Sequence, residues 1–265
     1  MGSAIARQLK NNYEVLAYDK DNAKLKGFDG VRAVDSLPGL LKEADIVILA
    51  VKPQDFPAIL PVIRADAGNK LFVSIAAGIS TPYIESVLGR VRVVRVMPNM
   101  PAKIGEGMTC LAQGKFASLE DIDTAENLFD YLGETMIVEE DMMDQATAVS
   151  GSGPAYVCFF LESEGVGAAD VPEDKKNAFL ADFQKAALGL GFDKESASLL
   201  TKTTFNGTVA FLKREKISPA ELRKQVTSKG GTTEAALAIL SKGGSLTEAV
   251  KAAARRAEEL SKGGS

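Results

Sequence analysis

The sequence of 265 residues contains no histidine and no tryptophan, and its two cysteines, Cys110 and Cys158, stand far apart. Without histidine, the Ser-His-Asp and Cys-His arrangements for nucleophilic catalysis are excluded, and so are nearly all zinc sites. We therefore predict no metal site, and an enzyme of this composition needs a bound cofactor for its difficult chemistry. Two isolated cysteines also argue against a disulfide framework and favour a reducing compartment, so we expect a cytoplasmic protein.

Charge and hydropathy remove support for two further classes of protein. The formal net charge is −4, which gives no electrostatic basis for a nucleic-acid partner. The sequence has no run of about 18 apolar residues and no charged-then-apolar signal segment, so we expect neither a membrane span nor a secretory signal. Its length and its 46% hydrophobic content are typical of a globular protein with two domains.

Short β-branched runs alternate with helical patterns over the first half of the chain. The predicted strands are residues 13–19, 46–51, 71–75, 93–97, 108–112 and 136–138. The predicted helices between them are residues 38–44, 56–64, 81–88 and 118–131. Strand, helix and strand at this spacing predict a parallel α/β sheet, and we assign residues 1–141 to this domain.

The second half, residues 142–265, is predicted to be an all-helical domain. Its helical patterns cover residues 155–164, 175–190, 194–213, 219–226, 232–240 and 246–260. Several of these helices are apolar on more than one face, which suits burial in a subunit interface; a self-contained bundle fits the pattern equally well. Residues 164–177 contain Pro172 and several small residues, and we interpret them as a loop or insertion.

The carboxyl ends of the predicted strands carry small or turn-forming residues, where a flat cofactor can approach the backbone. These ends are Asp19, the segment Ala50-Val51-Lys52-Pro53, the segment Ala76-Ala77-Gly78 and the segment Met97-Pro98-Asn99. An acid at the position of Asp19 can hydrogen-bond a ribose 2′-hydroxyl, which favours NAD. A solvated turn is an equal alternative for Asp19, and the adjacent Lys20 suits a 2′-phosphate, so NADH and NADPH both stay open.

Residues 225–240, QVTSKGGTTEAALAIL, contain the strongest candidate for a ligand-binding loop. Gly230 and Gly231 permit a sharp turn, and Thr232 and Thr233 then begin a helix whose free N–H groups and dipole can hold an anion. The alternative is an ordinary capped helix after a glycine turn.

Four motifs together resemble the pyrroline-5-carboxylate reductase family over nearly the whole chain. They are Leu49-Ala50-Val51-Lys52-Pro53, Met97-Pro98-Asn99-Met100-Pro101, Ser150-Gly151-Ser152-Gly153-Pro154-Ala155-Tyr156 and Val226-Thr227-Ser228-Lys229-Gly230-Gly231-Thr232-Thr233. The third and fourth are long and specific to that family. The resemblance implies an N-terminal Rossmann-like domain, a C-terminal helical dimerisation domain, and homodimers or rings of dimers.

The resemblance also implies site residues. The cofactor, NADPH or NADH, would contact Met1, Gly2, Asp19, Ala50, Val51, Lys52, Pro53, Ile75, Ala76, Ala77, Asn99 and Gln225. The substrate, 1-pyrroline-5-carboxylate, would contact Glu140, Ser228, Gly230, Gly231, Thr232 and Thr233. Its reduction to proline needs hydride transfer to the C=N carbon, and Thr233 is the candidate catalytic residue because it could hydrogen-bond the ring nitrogen.

The sequence departs from the family pattern at its start. The first strand and the first two glycines of the dinucleotide-binding turn are absent, and Gly2 matches the end of that turn. Two alternatives therefore stay open beside the reductase. The chain could be an inactive, truncated dimerising homologue, or a reductase of another small cyclic imine or 2-oxo acid.

Overall fold

The computed structural model describes residues 1–263, and its elements follow the predicted order closely. The strands are β1 (Leu16–Ala17), β2 (Arg32–Ala33), β3 (Ile46–Leu49), β4 (Leu71–Ser74), β5 (Arg92–Pro98), β6 (Gly107–Gln113) and β7 (Gly133–Ile137). The helices of the first half are α1 (Gly2–Leu9), α2 (Leu37–Glu43), α3 (Phe56–Arg64), α4 (Thr81–Leu88) and α5 (Leu119–Phe129). Those of the second half are α6 (Met143–Ala146), α7 (Gly153–Glu164), α8 (Glu173–Leu188), α9 (Lys194–Glu215), α10 (Pro219–Val226), α11 (Thr232–Leu240) and α12 (Leu246–Gly263).

The main sheet has five strands in the order β3-β4-β5-β6-β7. Neighbouring strands are parallel, as predicted, except that β6 runs antiparallel to β5. The exception has a simple cause. A parallel return needs a crossover of a dozen or more residues, whereas a single 3₁₀ turn at Met100–Ile104 links β5 to β6.

The predicted strand at residues 13–19 is reduced to the two residues of β1. It pairs in parallel with β2, which the sequence analysis did not identify, and the pair is separate from the five-stranded sheet. Both residues of β2 are exposed and both of β1 are half-buried. The apolar alternation that marks a longer strand is therefore missing from β2.

Apolar side chains cover both faces of the main sheet, as is usual where strands are parallel. On one face, Val94 and Leu111 pack with Ile5 of α1 and Phe129 of α5. On the other face, Phe72 and Val93 pack with α2, α3 and α4 through Leu41, Phe56, Leu60 and Ile84. Neighbouring residues of β5 thus point to opposite sides, and α1 is held with its first residues near the ends of the strands.

The helical half has its own core around α7, α8 and α9. Tyr156 and Phe183 pack edge to face with ring centroids 5.8 Å apart, and Phe160, Phe179 and Phe205 form an adjoining aromatic group. Helices α11 and α12 pack along each other and close this core. Within residues 1–263, no helix has both the length and the apolar character that a bilayer crossing requires.

The two halves meet where α9 crosses the turn between β5 and β6. A Cβ built on Gly207 would lie 2.1 Å from the carbonyl oxygen of Glu106. Nearby, Arg214 Nη1 donates to the carbonyl oxygen of Ile104 at 3.2 Å. Only a residue without a side chain allows the helix backbone to approach this closely.

A π-helical turn at Thr147–Gly151 connects α6 to α7. The amide of Ser152 donates to the carbonyl oxygen of Thr147 at 3.0 Å, which closes the wide turn. A Cβ on Gly151 would be 3.0 Å from Met97 Cε, so the turn rests on the last residues of β5. The sequence analysis did not predict this segment.

We expect the substitution Gly207→Ala to lower the free energy of unfolding by roughly 3 kcal/mol, because its methyl group would collide with the fixed backbone at Glu106. Urea unfolding followed by circular dichroism measures this change. Gly189→Ala is the matched control, since Gly189 has helical dihedral angles and its added Cβ would meet atoms no closer than 3.4 Å. A loss for Gly207→Ala no larger than for Gly189→Ala would contradict the close contact.

Candidate active site

The segments after β3 and β4 lie side by side at the carboxyl edge of the sheet. The amide of Ile75 donates to the carbonyl oxygen of Leu49 at 3.2 Å, which aligns the two segments. A Cβ on Gly2 would lie 2.8 Å from Ala50 Cβ, so the start of α1 touches the end of β3. The sequence-predicted residues of these segments are therefore brought together: Met1, Gly2, Ala50, Val51, Lys52, Pro53, Ile75, Ala76 and Ala77.

Two small apolar residues at this edge are exposed to solvent. Ala50 directly follows the buried Leu49 and is exposed, and Ala77 directly follows the buried Ala76 and is exposed as well. The start of α1 presents its backbone at the same place, with the carbonyl of Met1 accepting from the amides of Ala4 and Ile5. A helix N-terminus beside two small exposed residues is suited to bind the phosphate groups of a dinucleotide.

Asn99 is a buried polar residue at the end of β5, and it is 2% exposed. Its Oδ1 accepts from the amide of Met108 at 3.0 Å. Its Nδ2 has no hydrogen-bond partner among residues 1–263. An unsatisfied buried donor is costly unless a ligand or a water binds it, so Asn99 offers one directed hydrogen bond to a bound group.

Asp19 lies just after β1 and is already engaged in local interactions. Its Oδ1 accepts from the amide of Asp21 at 2.9 Å and from Lys24 Nζ at 3.4 Å. Lys20 forms an ion pair with Asp55 at 3.2 Å. The Asp19 carboxylate and the Lys20 ammonium group both have partners within the protein, and these contacts favour neither a ribose hydroxyl nor a phosphate.

The glycine loop before α11 is ordered by side chains from its own domain. Gly230 has a φ of +70°, which favours glycine, and its amide donates to Glu234 Oε2 at 2.8 Å. Arg256 Nε donates to the carbonyl oxygen of Gly230 at 2.7 Å. The amide of Gly231 donates to the carbonyl oxygen of Ser228 at 3.0 Å. The amides of Gly230 and Gly231 thus both have acceptors within the protein.

Anion-binding groups remain on other atoms of the loop. The first-turn amides of α11 begin at Thr232 and have no acceptors within their own helix. The hydroxyl of Ser228 covers Gly231, where a Cβ would lie 2.2 Å from Ser228 Oγ. Lys229 is exposed, and the guanidinium group of Arg256 lies against Gly230. These donors and cations are suited to bind an anion without the glycine amides.

Two threonine hydroxyls of this loop bond to the start of α7. Ser152 Oγ lies 2.9 Å from Thr232 Oγ1, and Thr233 Oγ1 donates to Ser152 Oγ at 3.2 Å. Thr233 is 5% exposed and Ser152 is fully buried. Because Gly151 rests on Met97, this contact connects the loop to the end of β5.

Glu140 was predicted to contact the substrate, and the structure places it in an ionic cluster at the domain junction. Its Oε1 accepts from Arg95 Nη1 at 3.0 Å and from the amide of Thr81 at 3.1 Å. Arg95 Nη2 also pairs with Asp144 at 3.1 Å, and Asp144 accepts from Ser261 of α12 at 2.8 Å. The Oε2 atom of Glu140 has no partner within residues 1–263.

Burial dominates the pKa of Glu140. Removal of its carboxyl group from water raises the pKa above the ordinary value of 4.5, and the ion pair with Arg95 only partly opposes this shift. Arg95 is 3% exposed and faces two carboxylates. The cluster therefore carries a net negative charge when both acids are ionised.

Sequence reasoning missed several residues that the structure brings to this region: Arg95, Ser152, Glu234 and Arg256. Ser152 belongs to one of the four motifs, but nothing in the sequence shows that it reaches a loop 80 residues away. By contrast, Gln225 was predicted to contact the cofactor, and it lies exposed on α10. Among residues 1–263, no three His, Cys, Asp or Glu side chains gather in a way that could hold a metal ion.

Comparison with known proteins identifies the family. Residues 177–260 match the model for the pyrroline-5-carboxylate reductase dimerisation domain. A pyrroline-5-carboxylate reductase from Synechocystis is 36% identical over 222 residues, which cover 83% of this chain and 76% of that relative. The chain belongs to the pyrroline-5-carboxylate reductase family. This result confirms the resemblance drawn from the four motifs.

The same family relationship extends to solved structures and to the N-terminal half. A pyrroline-5-carboxylate reductase from Coxiella burnetii aligns over 98% of this chain and 94% of its own, with a TM-score of 0.63 and 32% identity. A Plasmodium falciparum pyrroline carboxylate reductase with NADP bound aligns over the same shares, with a TM-score of 0.60 and 26% identity. Residues 1–78 match the model described as NADP oxidoreductase, coenzyme F420-dependent. The predicted combination of a Rossmann-like domain and a helical domain is confirmed.

We expect Glu140→Gln to alter the pH dependence of stability. Since the folded-state pKa of Glu140 is raised, folding favours its neutral form. The stability of the wild type relative to Glu140→Gln should therefore be greatest at about pH 4 and fall as the pH rises towards 7. Urea unfolding of both proteins across this range measures the difference.

Glu221→Gln is the control with the opposite sign. Hydrogen bonds from the amide and hydroxyl of Ser218 lower the pKa of Glu221, so the wild type should lose stability relative to this variant as the pH falls. If both variants show the same trend with pH, the burial of Glu140 does not explain its effect.

Proposed function

We propose that this chain catalyses the NADPH- or NADH-dependent reduction of 1-pyrroline-5-carboxylate to L-proline, the last step of proline biosynthesis. The observation that carries the proposal is the hydroxyl contact between Thr233 and Ser152, which joins the glycine loop to the carboxyl end of β5. The reaction requires contact between a hydride donor bound at the strand ends and an imine bound at the glycine loop. The family's name supports the choice of substrate, and the geometry supports the role proposed for each segment.

The residues at the strand ends suit a nicotinamide dinucleotide. The close approach of Gly2 to Ala50 leaves the start of α1 beside the backbone after β3, where the pyrophosphate would be held. The unsatisfied Nδ2 of Asn99 would donate to a carbonyl acceptor on the cofactor. Residues Lys52 and Pro53 of the β3 segment and Ile75, Ala76 and Ala77 of the β4 segment would complete the binding surface. The bound cofactor supplies the hydride.

The substrate's carboxylate would bind the loop from Ser228 to Thr233. Hydroxyl groups and the first-turn amides of α11 are its hydrogen-bond donors, and Arg256 contributes positive charge at the loop's edge. Thr233 then lies at the ring nitrogen. A protonated imine is electrophilic without further activation, so the role of the protein is to hold the ring and the hydride donor in contact.

We also propose that the helical domain, residues 142–265, joins two subunits, and that the Rossmann-like domain comprises residues 1–141. The match of residues 177–260 to a dimerisation model supports the first proposal. The end of the last strand at Ile137 supports the second. A ring of dimers and a cytoplasmic location stay predictions, and size-exclusion chromatography with light scattering tests the first of them.

Thr233→Val should lower kcat/KM for 1-pyrroline-5-carboxylate roughly 10- to 100-fold, because it removes a hydroxyl bonded to a charged ring nitrogen while keeping the side chain's shape. The dissociation constant of NADPH, measured by fluorescence titration, should change less than about twofold in this variant. Gly2→Ala should act in the opposite way and weaken NADPH binding, since its methyl group would collide with Ala50. Equal effects of Thr233→Val on both ligands would contradict the assignment of this loop to the substrate.

A further inference from the structure

Ser152 occupies the N-cap position of α7 without acting as a cap. A serine at this position ordinarily accepts a hydrogen bond from an amide in the first turn of its helix. The side chain of Ser152 makes no such bond. Its hydroxyl is directed instead at a different part of the chain, and it is 0% exposed. Ser152 thus makes long-range hydrogen bonds in place of the local capping bond.

The hydroxyl of Ser152 is hydrogen-bonded to two threonine hydroxyls of the loop before α11. It accepts from Thr233 Oγ1 at 3.2 Å and lies 2.9 Å from Thr232 Oγ1. Further along α7, the Tyr156 hydroxyl donates to the carbonyl oxygen of Ala148 at 2.9 Å, and this bond ties the first turn of α7 to the backbone of the π turn.

Tyr156 makes the start of α7 rigid. Its ring is 1% exposed and packs edge to face on Phe183. Burial raises the pKa of the phenol far above its ordinary value, so its proton stays in place at neutral pH. The start of α7 therefore has a single arrangement, and Ser152, which lies at this start, holds the threonine hydroxyls relative to it.

We propose that Ser152 is a positioning residue that holds the Thr233 hydroxyl in the one orientation that productive binding of the ring nitrogen requires. This inference rests on the proposed function and deepens it. Without Ser152, the Thr233 hydroxyl can rotate about its Cα–Cβ and C–O bonds, and the nitrogen contact is lost in a fraction of the bound complexes. Ser152 itself does not touch the substrate.

A double-mutant cycle tests this role, because a residue that acts only through Thr233 has no effect once that hydroxyl is absent. We expect Ser152→Ala to lower kcat/KM for 1-pyrroline-5-carboxylate about tenfold in the wild-type background. In the Thr233→Val background the same substitution should change kcat/KM less than about twofold. NADPH affinity should be unchanged in every member of the cycle.

Ser150→Ala is a matched control two positions earlier in the same motif. Ser150 is also 0% exposed, but its hydroxyl donates to the carbonyl oxygen of Ala146 at 3.0 Å and not to the loop. It should alter thermal stability with little effect on kcat/KM. If Ser152→Ala reduces kcat/KM by the same factor with and without the Thr233 hydroxyl, the effects are additive, and the positioning role is overturned in favour of a purely structural one.

The same cycle is measured on the dissociation constant of L-proline by calorimetry. Coupling between Ser152 and Thr233 in this binding constant supports the inference without relying on turnover, and additivity there overturns it. The proposed function alone would be overturned if the cycle shows coupling in L-proline binding while the wild-type protein does not oxidise NADPH with 1-pyrroline-5-carboxylate. The two proposals are thus separated.

Discussion

The candidate active site depends on the wide helical turn at Thr147–Gly151. The hydroxyl of Thr147 donates to the carbonyl oxygen of Met143 at 2.8 Å. Such bonds from buried hydroxyls compete with regular helix geometry, and the amide of Ser152 reaches five residues back. The added residue lets Gly151 rest on the sheet and turns Ser152 towards the loop before α11. A regular helix would separate these two contacts.

A second constraint is the charge buried between the domains. Arg95 on β5 is the cation of the cluster, and it pairs with Glu140 at the domain boundary and with Asp144 of α6. Buried ion pairs contribute little to net stability because desolvation offsets most of their attraction. Their geometry is nevertheless demanding, since each charged group must meet its partner. The cluster therefore acts mainly to specify how the sheet and α12 are placed relative to each other.

Local signals allowed much of the fold to be predicted from the sequence. The bounds of α3, α4, α10 and α11 are as predicted, because proline at the first turn, serine caps and apolar spacing are all readable within a few residues. The direction of β6 was not, because it depends on how short a connection is and not on the residues of the strand. The two-residue strand β2 also lacks a pattern long enough to detect, and the pattern at residues 13–19 predicted more strand than the two residues of β1.

The position of candidate site residues was predictable at the strand ends. It was not predictable where contacts join residues that are far apart in the sequence. The residues of the β3 and β4 segments lie together because strand ends in one sheet must meet at one edge. The partners of Gly230, in contrast, are Glu234 and Arg256. Sequence spacing alone does not show that the side chains of Glu234 and Arg256 will bond to the amide and the carbonyl oxygen of Gly230.

The glycine at position 207 determines the rotation of α9 about its own axis. With its backbone against Glu106, the helix can present only one stripe of side chains to α7, and that stripe includes Thr204. A Cβ on Gly153 would lie 2.5 Å from Thr204 Cγ2, so this stripe also sets the distance at which α7 begins. Ser152 is the preceding residue. The rotation of α9 therefore affects, through the close contacts at Gly207 and Gly153, the position of the hydroxyl that bonds to Thr232 and Thr233.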